Sequence, residues 1–257
     1  MTDKKTLIFI PTYNERDNVT PLSQEIAALR LDADVLFIDD GSPDGTGDIL
    51  DTLAARNPRL KVRHRSGKLG IGTAHQAGIA YAYDQGYEVL ITLDADFTHS
   101  PSNIPLIIQR LGDSDVAVGS RYMQENSLEG WNPMRKFLTS LAHVLTTLLL
   151  DLKYDSTGAF RIYRLDRIPR ELFTLIQSKG YSFFFESLHL LNFNHFKIEE
   201  MPIQLPPRTY GTSKMSYKDA FRSLEMLCST FVKRLLRPNS FRVHPKATVQ
   251  TTAQDHE

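Results

Sequence analysis

Several things are scarce in this chain, and each scarcity narrows what it can be. One cysteine, Cys228, in 257 residues excludes an intramolecular disulfide and fits a reducing compartment. The formal charge is +0, with 30 basic and 30 acidic residues, so no global field favours nucleic acid. No run approaches the roughly 20 apolar residues that span a bilayer. The longest candidate, Phe137 to Leu150, is interrupted by Thr139, Ser140, His143, Thr146 and Thr147 and reads as a core or interfacial helix. The N-terminal apolar stretch stops at Pro11, too soon for a signal peptide. Eight histidines include no His-x₃-His pair, no Cys-x₂-Cys occurs, and spacing therefore gives no zinc site. There is no Gly-x-Ser-x-Gly elbow of a serine hydrolase, no internal repeat and no low-complexity linker.

What is present is an alternation. Short apolar runs at Thr6–Ile10, Val35–Ile38, Leu60–His64, Val89–Leu93 and Val116–Gly119 read as strands. Between them, Asn18–Leu29, Thr46–Ala55, about 71–85 and Ile104–Arg110 carry helical spacing. That order predicts an α/β domain with a largely parallel sheet, whose ligands bind beyond the carboxyl ends of the strands. The second half is less regular. Met134–Leu150, Pro169–Ser178, Ser182–Leu191 and Tyr217–Arg237 read as helices, and Thr157–Tyr163 as a turn leading into a strand. Ile198–Gln204 reads as a strand. We expect one domain over about residues 1–240 and a polar, disordered tail over 241–257.

The polar motifs fall where strand ends should be. Leu90-Ile-Thr-Leu-Asp94-Ala-Asp96 ends an apolar run in two aspartates one residue apart. In extended backbone such side chains share a face. Two hard carboxylates suit Mg²⁺ or Mn²⁺, which keep other positions for water and phosphate. A plain loop cap is the bland alternative. Asp39-Asp40-Gly-Ser-Pro-Asp-Gly-Thr46 is a tight strand-to-helix turn in which Asp40 can serve a nucleotide or only the turn. Lys68-Leu-Gly-Ile-Gly-Thr73 brings a cation and two glycines to a helix start, either a phosphate cradle or a structural turn. Arg121 ends a strand, either as a phosphate fork or as a surface arginine. Arg208-Thr-Tyr-Gly-Thr-Ser213-Lys214 is a basic loop able to close over a pyrophosphate, or a solvated turn. The last helix is amphipathic with a basic bias, so it either packs on its own domain or lies on an anionic membrane. Trp131 beside Arg135 and Lys136 has the same interfacial character.

Taken together and in order, these motifs resemble the family 2 glycosyltransferases of the GT-A fold, in particular the polyprenyl-phosphate (dolichol-phosphate) mannosyltransferase branch. The likeness spans roughly Leu7 to Met215. It rests on Pro-Thr-Tyr-Asn-Glu, Asp-Asp-Gly-Ser-Pro-Asp-Gly-Thr, Gly-Ile-Gly-Thr-Ala, Asp-Ala-Asp-Phe-Thr-His-Ser-Pro, Gly-Ser-Arg-Tyr, Ser-Thr-Gly-Ala-Phe-Arg and Arg-Thr-Tyr-Gly-Thr-Ser-Lys-Met.

The resemblance implies a nucleotide-sugar donor, GDP-mannose foremost, a polyprenyl monophosphate acceptor, inversion at the anomeric carbon, and Mg²⁺ or Mn²⁺. It implies that Pro11, Tyr13, Glu15 and Asp40 hold the nucleoside, with Lys68 and Glu186 also on the donor. Asp94, Asp96 and Thr98 are the implied metal side chains, Asp96 foremost, with Asp94 also near the base or ribose of the donor. Arg121, Arg135, Arg208, Ser213 and Lys214 fall at phosphate-binding positions. It further implies a cytoplasmic protein at a membrane surface, with acceptor-side elements at about 123–150 and 217–237. The chain departs from the family in Ser156-Thr-Gly-Ala-Phe160-Arg161, where Thr-Ser-Gly-Phe-Arg is usual. The competing readings are a UDP-sugar donor or saccharide acceptor, a nucleotidyltransferase, and a non-catalytic membrane-associated binding protein.

Overall fold

The computed structural model describes residues 4–206 and 216–243. Its centre is a seven-stranded sheet: β1 (Thr6–Thr12), β2 (Ala33–Asp39), β3 (Leu60–His64), β4 (Val89–Thr92), β5 (Val116–Ser120), β6 (Arg161–Arg164) and β7 (Ile198–Pro202). The strand order is β3-β2-β1-β4-β6-β5-β7. All neighbours are parallel except β6, which runs antiparallel between β4 and β5. The expected mostly parallel sheet is therefore present.

Residues of β1 alternate between two cores, as a period of two requires. Leu7 and Phe9 join Leu36, Ile38, Phe183 and Phe184 on one face. Ile8 and Ile10 join Phe37, Leu22, Leu50 and Ile107 on the other. Helices cover both faces, which is why the central strands read as near-continuous apolar runs. The second face is covered by α1 (Arg16–Ala28), α2 (Thr46–Arg56) and α4 (Ile104–Leu111); the first by α3 (Ile71–Asp84), α6 (Arg170–Thr174) and α7 (Phe183–Phe193). In α1 the buried positions Val19, Leu22 and Ile26 recur at helical spacing.

Two helices stand apart. α5 (Pro133–Leu150) buries only Thr146 and Leu150, and α8 (Tyr217–Leu236) only Leu227 and Thr230. They pack on each other, Arg234 donating to the Leu149 carbonyl at 3.1 Å. α5 is thus a surface helix, and the reading of it as a core helix is dropped.

Sequence boundaries shift in two instructive places. The helix expected over Pro169–Ser178 stops at Thr174, because the Gln177 and Ser178 N–H groups donate to Glu186 instead of continuing the ladder. Phe241, expected in a disordered tail, is buried against the rings of His189 and Phe193.

Candidate active site

The sheet order reverses between β1 and β4, and in such sheets the crevice lies beyond the carboxyl ends of those strands. Four predicted motifs meet there. The turn after β1 and the turn after β2 are stitched together by side chains. Ser42 donates to Asp39 and accepts from the Asn14 N–H at 2.9 Å. Thr46 accepts from the Glu15 N–H at 2.9 Å and donates to Asp44 at 2.6 Å. Burial alone would raise the Asp44 pKa, but hydrogen bonds from Thr46 and Arg16 hold it below the ordinary value. Pro11 is the penultimate residue of β1, and Glu15 is buried, accepting from Asn18 Nδ2 at 2.6 Å. Asn14 takes a left-handed φ of 55°, tolerable for asparagine and fixed by this stitching.

Asp40, expected on a nucleoside, sits beside a cation that sequence reading did not single out. Arg65 donates from Nε to Asp40 Oδ1 at 2.6 Å and from Nη1 to Thr73 at 2.8 Å. Burial raises the Asp40 pKa, and Arg65 opposes it. This pair anchors the 65–70 loop, whose Lys68 ammonium lies 4.9 Å from the Tyr13 ring centroid. Two residues from distant motifs, both expected on the donor, are thereby brought together.

Gly70 and Gly72, read from sequence as a phosphate cradle or a structural turn, lie against protein backbone at the start of α3. A Cβ on Gly70 would lie 2.4 Å from the Lys179 carbonyl oxygen, and one on Gly72 would lie 2.7 Å from that of Gly180. They admit the 178–180 backbone to the start of α3. Glu186 holds the same loop, accepting from the Gln177 and Ser178 N–H groups at 3.0 and 2.9 Å.

Beyond β4, Asp96 is buried and accepts from the Thr98 N–H at 3.1 Å and hydroxyl at 2.6 Å. Asp94 is the more exposed of the pair, its side chain 33% accessible. Phe97, between Asp96 and Thr98, is held at φ 61°, a strain of roughly 1–3 kcal/mol for a bulky residue. Among the described residues no cluster of three or more His, Cys, Asp or Glu could hold a metal by itself. Two carboxylates supported by a hydroxyl still fit Mg²⁺ or Mn²⁺, ions that characteristically share their shell with substrate phosphate and water. Next to them lies His99, which sequence reading passed over. It is buried, stacked on Phe160 with centroids 5.7 Å apart, and its Nδ1 is 3.8 Å from Asp94. Burial drives its pKa down to about 4 against the pull of Asp96, so the ring is neutral near pH 7.

His99 also feels Arg121 and Asp155, so the β4 and β5 ends border one site. Asp155 is fully buried and accepts from Arg121 Nε at 2.7 Å and N–H at 3.1 Å. Burial would raise the Asp155 pKa, but the Arg121 charge and hydrogen bonds keep it low. Arg135 lies at the start of α5, its guanidinium carbon 3.5 Å from the Trp131 ring centroid. Arg208, Ser213 and Lys214 lie outside the described residues.

A mostly parallel, helix-flanked sheet with acidic and cationic groups gathered at its strand ends is the arrangement of the GT-A fold. Solved structures share that fold. They include Staphylococcus aureus TarS 1–349 (TM-score 0.54, 18% identity, 89% of this chain and 65% of that one). A second is the mannosyltransferase PcManGT from Pyrobaculum calidifontis in complex with GDP-Man and Mn²⁺ (TM-score 0.52, 14% identity, 93% of this chain and 72% of that one). The chain belongs to glycosyl transferase family 2, whose model matches residues 7–178. It is 35% identical over 216 residues to the polyprenol monophosphomannose synthase of Mycolicibacterium smegmatis, covering 83% of this chain and 82% of that relative. It is 35% identical over 213 residues to the undecaprenyl-phosphate mannosyltransferase of Micrococcus luteus, covering 82% and 88%.

Proposed function

We propose that this glycosyltransferase moves mannose from GDP-mannose to a polyprenyl monophosphate, with inversion and with Mg²⁺ or Mn²⁺, at the cytoplasmic surface of a membrane. The observation that carries the reading is the pairing of Asp94 and Asp96 beyond β4 with Arg121 beyond β5, both bordering His99. Opposite charges on two sides of one crevice suit a diphosphate donor and an anionic acceptor. Two relatives, matched over most of their length and named as a polyprenol monophosphomannose synthase and an undecaprenyl-phosphate mannosyltransferase, support the choice of sugar and acceptor.

In this mechanism Tyr13, Glu15, Asp40 and Lys68 hold the nucleoside diphosphate. Asp94 and Asp96, with Thr98 supporting Asp96, hold the divalent ion. When bound, the ion offsets charge developing on the leaving diphosphate. Arg121, locked by Asp155, and Arg135 receive the acceptor phosphate, with Arg208, Ser213 and Lys214 assigned to the same anions. The transition state is oxocarbenium-like, and attack from the face opposite the diphosphate inverts the anomeric centre. A phosphate monoester has a second pKa of about 6, so it arrives already anionic and requires no strong base. A sugar hydroxyl would require one. Glu186, the acid nearest to that role in sequence, has its carboxylate on two backbone N–H groups. That favours phosphate over hydroxyl. The apolar outer faces of α5 and α8 support work at a membrane surface.

The test is a donor screen over GDP- and UDP-sugars with Mg²⁺ or Mn²⁺, with and without polyprenyl phosphate, the product anomer read by NMR. β-Mannosyl phosphate from GDP-mannose alone is expected. Turnover of a UDP-sugar, or of a saccharide acceptor only, would replace this reading.

A further inference from the structure

One aromatic side chain borders the cationic side of the site. Trp131 is the single tryptophan of the chain. Its indole Nε1 donates to the Leu205 carbonyl at 3.0 Å, and its ring packs against the second core. The Arg135 guanidinium carbon sits 3.5 Å from the ring centroid, and that of Arg121 sits 6.0 Å away. Two cations from different elements thus share one indole: Arg121 follows β5, and Arg135 is in the first turn of α5.

Local structure explains why the ring is fixed. Asn132 caps α5 by accepting the Arg135 N–H at 2.7 Å, which aims that first turn back over Trp131. Ser127 donates to the Arg121 carbonyl, and its own carbonyl accepts the Leu205 N–H at 2.8 Å. The 121–131 segment is therefore fastened to the stretch around Leu205 at two points, the second being Trp131 itself. Two residues beyond Leu205 begins the segment that contains Arg208, Ser213 and Lys214. Bringing guanidiniums together costs Coulomb repulsion, and the negative face of an indole offsets part of it. A flat ring also restricts a long side chain that would otherwise sample many rotamers.

We propose that Trp131 is a positioning residue, an aromatic platform that holds Arg135 beside Arg121 so that the two guanidiniums receive the acceptor's phosphate monoester. This rests on the lipid-phosphate reading above and adds to it the group that shapes the anion site. The platform acts on the acceptor and not on the nucleotide, whose contacts lie at the β1, β2 and β4 ends.

The test compares Trp131→Phe with Trp131→Leu in the full chain, using farnesyl phosphate as a soluble acceptor. Both variants lose the Nε1–H bond to Leu205, so their difference isolates the aromatic face. Trp131→Leu should raise the acceptor KM roughly 3- to 30-fold, the range of a cation–π contact, while the GDP–Mn²⁺ dissociation constant measured by calorimetry stays within about twofold. Trp131→Phe should recover most of the acceptor KM. In the wild type the single tryptophan also reports occupancy directly. Its emission should change saturably with farnesyl phosphate but not with farnesol, and Arg135→Gln should abolish the change. An acceptor KM unaltered in Trp131→Leu, equal KM values for the Leu and Phe variants, or a parallel loss of GDP affinity would each overturn the platform. Transfer to farnesyl phosphate by all three proteins in those cases would leave the lipid-phosphate reading standing. Failure of the wild type to use or bind farnesyl phosphate would overturn both.

Discussion

At the scale of single residues the site is built from carboxylates with unequal surroundings. Asp96 is buried and oriented by Thr98, whereas Asp94 faces outward beside a neutral His99. Asp96→Asn keeps the shape of the side chain and removes the charge. We predict that it lowers kcat for metal-dependent transfer by at least about 100-fold and weakens Mn²⁺ binding in the presence of GDP, followed by calorimetry. A second carboxylate governs stability. Asp166 takes a two-pronged contact from Arg164 and a further one from Lys4. Partial burial alone would raise its pKa, but those partners hold it down to about 2 from an ordinary 3.8. A depressed folded pKa contributes stability that is complete above the unfolded value and is lost as pH falls from about 4 towards 2. After allowance for solvent screening the contribution is roughly 1–2 kcal/mol. Urea melts at pH 6, 4 and 3 should show this loss in the wild type, and Asp166→Asn should flatten that part of the profile.

At the scale of elements, loops are held by contacts that no local motif announces. The Gly-rich loop could be read as a phosphate cradle or, the reading its spacing favours, as a structural turn. The structure gives its glycines to the 178–180 backbone, which Glu186 also holds. Gly72→Ala would push a methyl group to within 2.7–2.8 Å of three backbone atoms, which cannot step aside as a flexible side chain would. We predict a loss of roughly 2–4 kcal/mol, seen as a lower melting temperature, with a weaker GDP affinity because Lys68, on the same loop, sits over the Tyr13 ring. Strand assignments were legible because apolar runs such as Leu7–Ile10 and Val35–Ile38 fit a doubly covered sheet and nothing else of that length. The short α6 was not, because its end is decided by Glu186, a residue twelve positions beyond Thr174.

For the whole molecule, the distribution of apolar surface is uneven. Among the described residues, twelve of the fifteen exposed large hydrophobic side chains lie on α5 and α8. They include Phe137, Leu141 and Leu148 on one helix and Tyr217, Phe221 and Leu235 on the other. Each set falls on one face at helical spacing and so forms one stripe. The same helices carry six basic and two acidic side chains in a chain of formal charge +0. No described helix is long and apolar enough to cross a membrane; an apolar stripe edged with cations suits the surface of an anionic bilayer. We predict co-flotation with vesicles containing phosphatidylglycerol, weakened by salt and by neutral lipid. Leu148→Glu with Phe221→Glu should reduce it at least about tenfold while GDP affinity is kept. Equal flotation of the double variant would count against this face.

The sequence by itself determined the alternation of strands and helices, the two-sided core and the strand-end positions of the acidic and basic motifs, because these follow from periodicity and from where polar residues interrupt apolar runs. Tertiary structure alone decided the partnerships: Arg65 with Asp40, Asp155 with Arg121, His99 beside Asp94, Trp131 beneath Arg135, and the outward turn of α5 and α8. Those pairs join residues that are distant along the chain or belong to unrelated motifs, and charge, burial and hydrogen bonding act over ångströms of space rather than over intervals of sequence.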